Sequence, residues 1–121
     1  MRVLQKNGSS HEIHENEILY FSNFKNTIIV HTQEGEYVLP TTLSDLHAAY
    51  GSKGFERLDR SNVVNLDNVG DYDSVRKVVN FRTAPSFASV SESNESRLKK
   101  YLASRKSPQS SSSLSTVLPD L

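Results

Sequence analysis

Apolar positions along the chain fall into short runs, RVLQK, HEIH, ILYFSNF, TIIVHT, EYVLP, FERLDR, VVNL, KVVNF and FASVS, each four to seven residues long. Turn-rich clusters separate several of them: NGSS at 7–10, QEGE at 33–36 and LDNVGD at 66–71. Apolar runs of this length between turn formers predict strands, and their spacing predicts a mainly β protein built as a sandwich or as small packed sheets. Ile28, Ile29 and Val30 are consecutive, which fits a strand covered on both faces better than an edge strand.

Two segments change period. Over 42–50, Thr41 or Thr42 can cap a short helix, Leu43, Leu46 and Ala49 form its apolar stripe, and Gly51 stops it. Over 93–106, Ser93 can cap, Glu95 suits the first turn and pairs with Lys99, and Leu98, Tyr101 and Leu102 form the buried face. Arg97, Lys99 and Lys100 are left facing solvent. Residues 1–106 are thus expected to form one domain. Residues 107–121, with six Ser and two Pro in 15 residues, carry too little apolar surface to offset ordering entropy and are expected to be a disordered tail.

Composition narrows the function. A chain of 121 residues accommodates one small core. The absence of Cys excludes disulfide scaffolds, thiol catalysis and Cys-ligated zinc, and suits a reducing compartment. No apolar run approaches the roughly 18–20 residues of a membrane span, and the first residues lack a signal-peptide core, so a cytoplasmic location is expected. The 14 basic and 14 acidic residues cancel, which at first argues against a polyanionic partner. Their distribution reverses the point: residues 1–73 hold 6 basic and 11 acidic side chains, a balance of −5, whereas 74–106 hold 8 and 2, a balance of +6. Such asymmetry is a signature of nucleic-acid or anionic-surface binding, although a charge run is also what an ordinary solvated face looks like.

The most informative stretch is GFERLDRSNVVNL, 54–66. Phe55, Val63, Val64 and Leu66 can anchor it in a core, while Arg57 and Arg60 lead into a polar turn at Ser61 and Asn62. Two guanidiniums three residues apart, followed by a hydroxyl and an amide, suit phosphate oxygens and guanine edges. Composition alone equally allows surface pairing of these arginines with Glu56 and Asp59, worth at most about 1 kcal/mol.

The order of signals resembles the LytTR DNA-binding domain of bacterial transcriptional regulators over about residues 12–103. ILYFSNFKNTIIVHTQEGEYVLPTTLSDL is similar to that family's opening of strand, strand, turn, strand and short helix. GFERLDRSNVVNLDNV resembles its F-x-R-I-H-R-S-x-I-V-N-x-x-x-I block, matching at Phe55, Arg57, Leu58, Arg60, Ser61, Val64, Asn65 and Val69. The resemblance implies a compact fold of small packed β-sheets with a short helix, inserting loop residues into the grooves of double-stranded promoter DNA. It also implies a homodimer on repeated sites. Carried over by position, Arg60 is the leading base contact. Arg57, Ser61 and Asn62 accompany it, and Lys25 and Asn26 provide a second contact from the loop between the first two conserved strands; from the basic face of the last helix, and not from the resemblance, Arg97, Lys99 and Lys100 are expected to add phosphate affinity. At the final strand-to-helix junction the family reads V-S-R, whereas Val90 and Ser91 are followed by Glu92. Either an insertion lets Arg97 supply the guanidinium or this contact is lost. Asp59 also departs, replacing the family's common histidine. These two acids and the acidic body support an alternative, a LytTR-like protein-interaction module with weak or lost DNA binding.

Other chemistries are poorly served. His11 and His14, with Glu12, Glu15 and Glu17 nearby, are spaced for opposite faces of a strand and not for a metal. His31 and His47 read as structural. Ser61 has no neighbouring base and the five glycines build no phosphate loop, so no enzyme activity, cofactor or small-molecule substrate is expected. Tyr20, Phe21, Phe24 and Phe81 read as core fillers in preference to a stacking platform for single strands. The basic last helix lacks the apolar face for a membrane surface.

Overall fold

Ten strands and two helices make up the computed structural model, which describes residues 1–112. The chain divides at Ser91 into two units, each described by itself. In the first, β1 (Arg2–Leu4), β2 (Ser10–Glu12), β3 (Ile18–Phe24), β4 (Thr27–Thr32), β5 (Gly35–Leu39), β6 (Phe55–Asp59) and β7 (Asn62–Asn65) join in one sheet of order β2-β1-β5-β4-β3-β7-β6. A second sheet, order β10-β9-β8, is formed by β8 (Val69–Asp73), β9 (Val78–Phe81) and β10 (Phe87–Ser89). Every strand pair is antiparallel. The mainly β architecture expected from the pattern is the one observed.

Alternation along the strands sets the core. Phe21, Ile28, Val30 and Val63 point from the large sheet into a cluster with Phe55, Val3, Ile13 and Ile18, and α1 (Leu43–Tyr50) closes it with Leu43 and Leu46. β4 lies inside the sheet between β3 and β5 as anticipated. Its two faces are unequal, however: Ile28 and Val30 are buried while Ile29 is only half-buried. A period-2 strand with one covered face accounts for this burial.

Thr42 caps α1, its Oγ1 accepting from the Asp45 N–H at 3.1 Å. The expected stripe is corrected at Ala49, which is exposed. At about 100° per residue, position 50 lies closer than 49 to the arc of 43 and 46, and Tyr50 sits there, its ring 5.5 Å from Phe55. The expected stop at Gly51 is also corrected. Gly51 keeps a right-handed conformation and begins a further 3-10 turn that ends at Gly54, with φ +91°, a region glycine enters without a Cβ clash.

The largest correction is β8. The stretch 66–71 holds a 3-10 turn only over Leu66–Asn68, after which Val69 pairs with Phe81 and Asp71 with Asn80, the register shifting across Gly70. A bulge of this kind lets a turn-like composition enter a ladder. The second unit begins with α2 (Glu92–Ser112), six residues longer than expected at its end, the added stretch including Pro108. Leu98 and Leu102 are buried and Tyr101 half-buried. The remainder of the expected disordered tail, 113–121, lies outside the described residues.

Candidate nucleic-acid interface

The register brings two polar turns together. β3 pairs with β7 through Tyr20–Val64, Phe21–Val63 and Ser22–Asn62, and the Asn23 N–H then donates to the Ser61 carbonyl at 3.3 Å. The end of β3 therefore adjoins the start of β7, and the β3–β4 turn (Lys25, Asn26) opens at the same end of the sheet as the β6–β7 turn (Arg60, Ser61). All four residues are exposed. Lys25 has φ +56°, an uncommon conformation outside glycine that tight hairpins favour.

Behind Arg60 a hydrogen-bond network fixes the turn. The Asn62 side chain is 2% exposed. Its Oδ1 accepts from the Leu58 and Asp59 N–H groups at 3.3 and 3.1 Å, and its Nδ2 donates to the Ser89 carbonyl at 2.8 Å. Asn62 is therefore corrected from a DNA contact to a positioning residue: a buried amide meeting these partners cannot also reach a phosphate. Arg57, half-buried, donates from Nη2 to the Arg60 carbonyl at 2.9 Å and from Nη1 to Ser44 Oγ at 3.3 Å. It braces the turn from behind. The Arg60 side chain itself reaches solvent.

Asp59, the apparent departure, belongs to the same network. Ser61 Oγ donates to its Oδ2 at 2.6 Å and Ser89 Oγ at 3.1 Å. Hydrogen bonding, chiefly from Ser61, holds its carboxyl below the usual range despite some burial. The charge is spent on ordering the turn.

Ser91, the last residue of the first unit, is adjacent. The Ser91 N–H donates to the Leu58 carbonyl at 2.8 Å. In the second unit α2 starts directly at Glu92, which is exposed, with no inserted loop. An acid suits a helix start. Arg97 lies five residues further on along the helix, Nη2 donating to Asn94 Oδ1 at 2.8 Å. Lys99 pairs with Glu95 at 3.7 Å, and Lys100 is exposed.

Residue-by-residue reading of the sequence missed one basic group. The β8–β9 turn carries Arg76 and Lys77, and its place follows from the pairs Ser89–Val78 and Val90 N–H to Lys77 carbonyl, 2.9 Å. Through Ser89 it neighbours Asn62 and hence the Arg60 turn. Arg76 is exposed, its guanidinium 4.9 Å from the centre of the Phe87 ring. The signal was available as VRK at 75–77, but without β8 there was no hairpin to carry it.

His31, His11 and His47 each have a partner within the fold. His31 stacks on Tyr20 at 4.0 Å, its Nε2 lies 2.8 Å from Ser22 Oγ, and its Nδ1 lies 3.3 Å from Glu36 Oε2. A neutral ring protonated on Nδ1 satisfies both neighbours. Burial lowers its pKa, with Glu36 opposing. This Ser-His-Glu alignment sits in mid-sheet, where β3 is paired on both sides, so the backbone N–H groups that would stabilise an oxyanion are committed to ladders. His11 stacks on Tyr37 at 5.0 Å, and His47 Nε2 lies 3.7 Å from Glu56. Among the described residues, no group of three or more His, Asp or Glu side chains is placed to hold a metal, and no helix is long and apolar enough to cross a membrane.

The comparisons agree with this architecture. The LytTr DNA-binding domain family matches residues 8–103; the chain belongs to this family, whose domains generally bind DNA. Among solved structures it is similar to the LytTr DNA-binding domain of a Bacillus cereus protein described as a methyl-accepting/DNA response regulator, with TM-score 0.72 and 17% identity, covering 84% of this chain and 94% of that one. At that identity the likeness speaks to the fold. No curated protein matches the chain in sequence.

Proposed function

We propose that the chain is a sequence-specific double-stranded DNA-binding protein acting in the cytoplasm as a bacterial transcriptional regulator, with a homodimer occupying repeated promoter sites. The observation that carries this reading is the convergence of the Lys25–Asn26 and Arg60–Ser61 turns at one end of the sheet, the second held by a buried network. Arg60 reads a base edge, with guanine the geometric match for a guanidinium. Lys25 and Asn26 position the backbone, helped by Arg76 and Lys77, Ser61 orders the turn through its hydrogen bond to Asp59, and Arg97, Lys99 and Lys100 add affinity for phosphate.

A titration by fluorescence anisotropy against fragments from the gene's own neighbourhood, at several salt concentrations, tests it. Expected is one fragment bound above random DNA, log affinity falling linearly with log salt, and a loss of about 1–3 kcal/mol with Arg60→Ala. Equal binding of all fragments contradicts the reading. It would favour a second one, a LytTR-fold protein-interaction module, for which exposed Glu92 at the family's third contact position is the specific support.

A further inference from the structure

The β3–β4 hairpin outruns its neighbours. β7 stops pairing with β3 at Ser22, and β5 stops pairing with β4 at Ile28, whereas β3 and β4 continue to Phe24–Thr27. Past Asn23, whose N–H still donates to the Ser61 carbonyl, the narrow two-stranded tip Phe24–Thr27 continues alone, a shape the major groove of B-DNA admits. At its shoulder Phe24 is 60% exposed among Asn23, Lys25 and Asn26, with Lys25 Nζ 5.5 Å from the ring centre. The two-residue turn has no need of an aromatic here, and the ring lies outside the core cluster around Phe21 and Phe55.

Base edges in the major groove carry donors, acceptors and one apolar group, the C5-methyl of thymine. From the placement of an exposed ring on a groove-sized tip, beside the turn that presents Arg60, we propose that Phe24 is a specificity-determining residue that packs on a thymine methyl. The ammonium beside it faces the adjoining phosphate. Desolvating a ring and a methyl together is favourable, and a cytosine in the same place offers an amino group and no methyl. The proposal rests on the DNA-binding reading above.

The experiment first selects duplexes from a random library with the full chain, then prepares the selected pool with deoxyuridine replacing every thymidine, which removes the methyl and leaves the hydrogen-bonding edge intact. Wild type is expected to bind the uridine duplexes about fourfold more weakly per contacted methyl, the value of one buried carbon. Phe24→Ala is expected to bind both duplexes alike, near the wild-type affinity for uridine DNA, and Phe24→Leu to restore part of the discrimination. Because the ring is exposed, unchanged thermal melting of both variants checks that folding is intact. Wild-type indifference to uridine overturns the proposal, as does equal discrimination by Phe24→Ala. Increased fluorescence of 2-aminopurine on binding, lost in Phe24→Ala, also overturns it by showing a wedge between bases. If selection enriches no sequence, this proposal and the DNA-binding reading fall together, at a stage before uridine enters.

Discussion

The two ends of the large sheet are built from the same strands and carry opposite chemistry. At one end the β3–β4 and β6–β7 turns present Lys25 and Arg60 to solvent. At the other, where β3 and β5 begin and β4 and β7 end, stand Glu15, Glu17, Glu34 and Asp67. β7 shows the contrast within one strand. Asn62 at its start holds the Arg60 turn, whereas Asn65 at its end is buried and donates to the Ile18 carbonyl at 2.9 Å, joined there by Asn68 at 2.8 Å. Two similar amides thus serve one end that carries the basic turns and one that carries the acids. A shallow hollow of about 370 Å³, lined by His14, Glu15, Lys53 and Asp67 among others, also lies at the acidic end. The −5 balance of residues 1–73 is therefore compatible with a DNA-facing surface, because many of its acids stand at the end away from the basic turns.

The sharpest way to break the comparison is to remove what orders one end. Asn62→Ala strands the Leu58 and Asp59 N–H groups and the Ser89 carbonyl, and an expected loss of about 2–3 kcal/mol in urea denaturation follows from leaving buried polar groups unsatisfied. Asn65→Ala should cost a similar amount, yet at temperatures where both variants remain folded only Asn62→Ala should impair DNA binding. A similar binding defect in both would mean the ends are not functionally distinct.

Next in size is the pair Arg60→Ala and Glu34→Ala. The first is expected to weaken specific binding by about 1–3 kcal/mol, while the second, at the far end, should stay within about 0.5 kcal/mol, as surface changes outside an interface do. Lys25→Ala and Arg76→Ala are expected to act more gently and without regard to sequence, each lowering the salt slope by about one. If either changed base preference instead, its assignment to the phosphate backbone would be wrong.

The smallest effect lies between the ends. His31 has its pKa lowered from 6.5 by burial, so the folded state holds this ring neutral more strongly than the unfolded chain does. The corresponding stability is complete above the unfolded value and is lost as pH falls below about 6.5 toward the lower folded value. Melting temperature should decline over that window in wild type and change less in His31→Gln, with DNA contacts little altered at neutral pH. Asp59, also lowered, contributes stability above its unfolded value near 3.8 that disappears on further acidification through its folded value.

Much of this was legible in the sequence, and the failures have specific causes. Strands bounded by turn formers declared themselves, as did Thr42 at the α1 start and Phe55, Val63, Val64 and Leu66 as core. β8 did not, because Asp, Asn and Gly dominate 66–71 and only pairing with β9 across a bulge makes 69–71 a strand. That omission concealed the Arg76 turn. Asn62 was misread because polarity next to Arg60 looks like exposure, and its burial depends on Ser89, distant in sequence. Phe24 was misread for the converse reason: an aromatic in an apolar run looks like core until register shows the strand passing beyond its neighbours.

The most direct measurement is a chemical-shift titration of the isotopically labelled chain with a selected operator duplex, reading each backbone amide. The account predicts that the largest changes gather at Phe24–Thr27, Arg60–Ser61 and Arg76–Lys77, with Gln33–Glu34 and Leu66–Asn68 nearly unmoved. Changes centred on the acidic end, or none at the three turns on saturation with DNA, would contradict it.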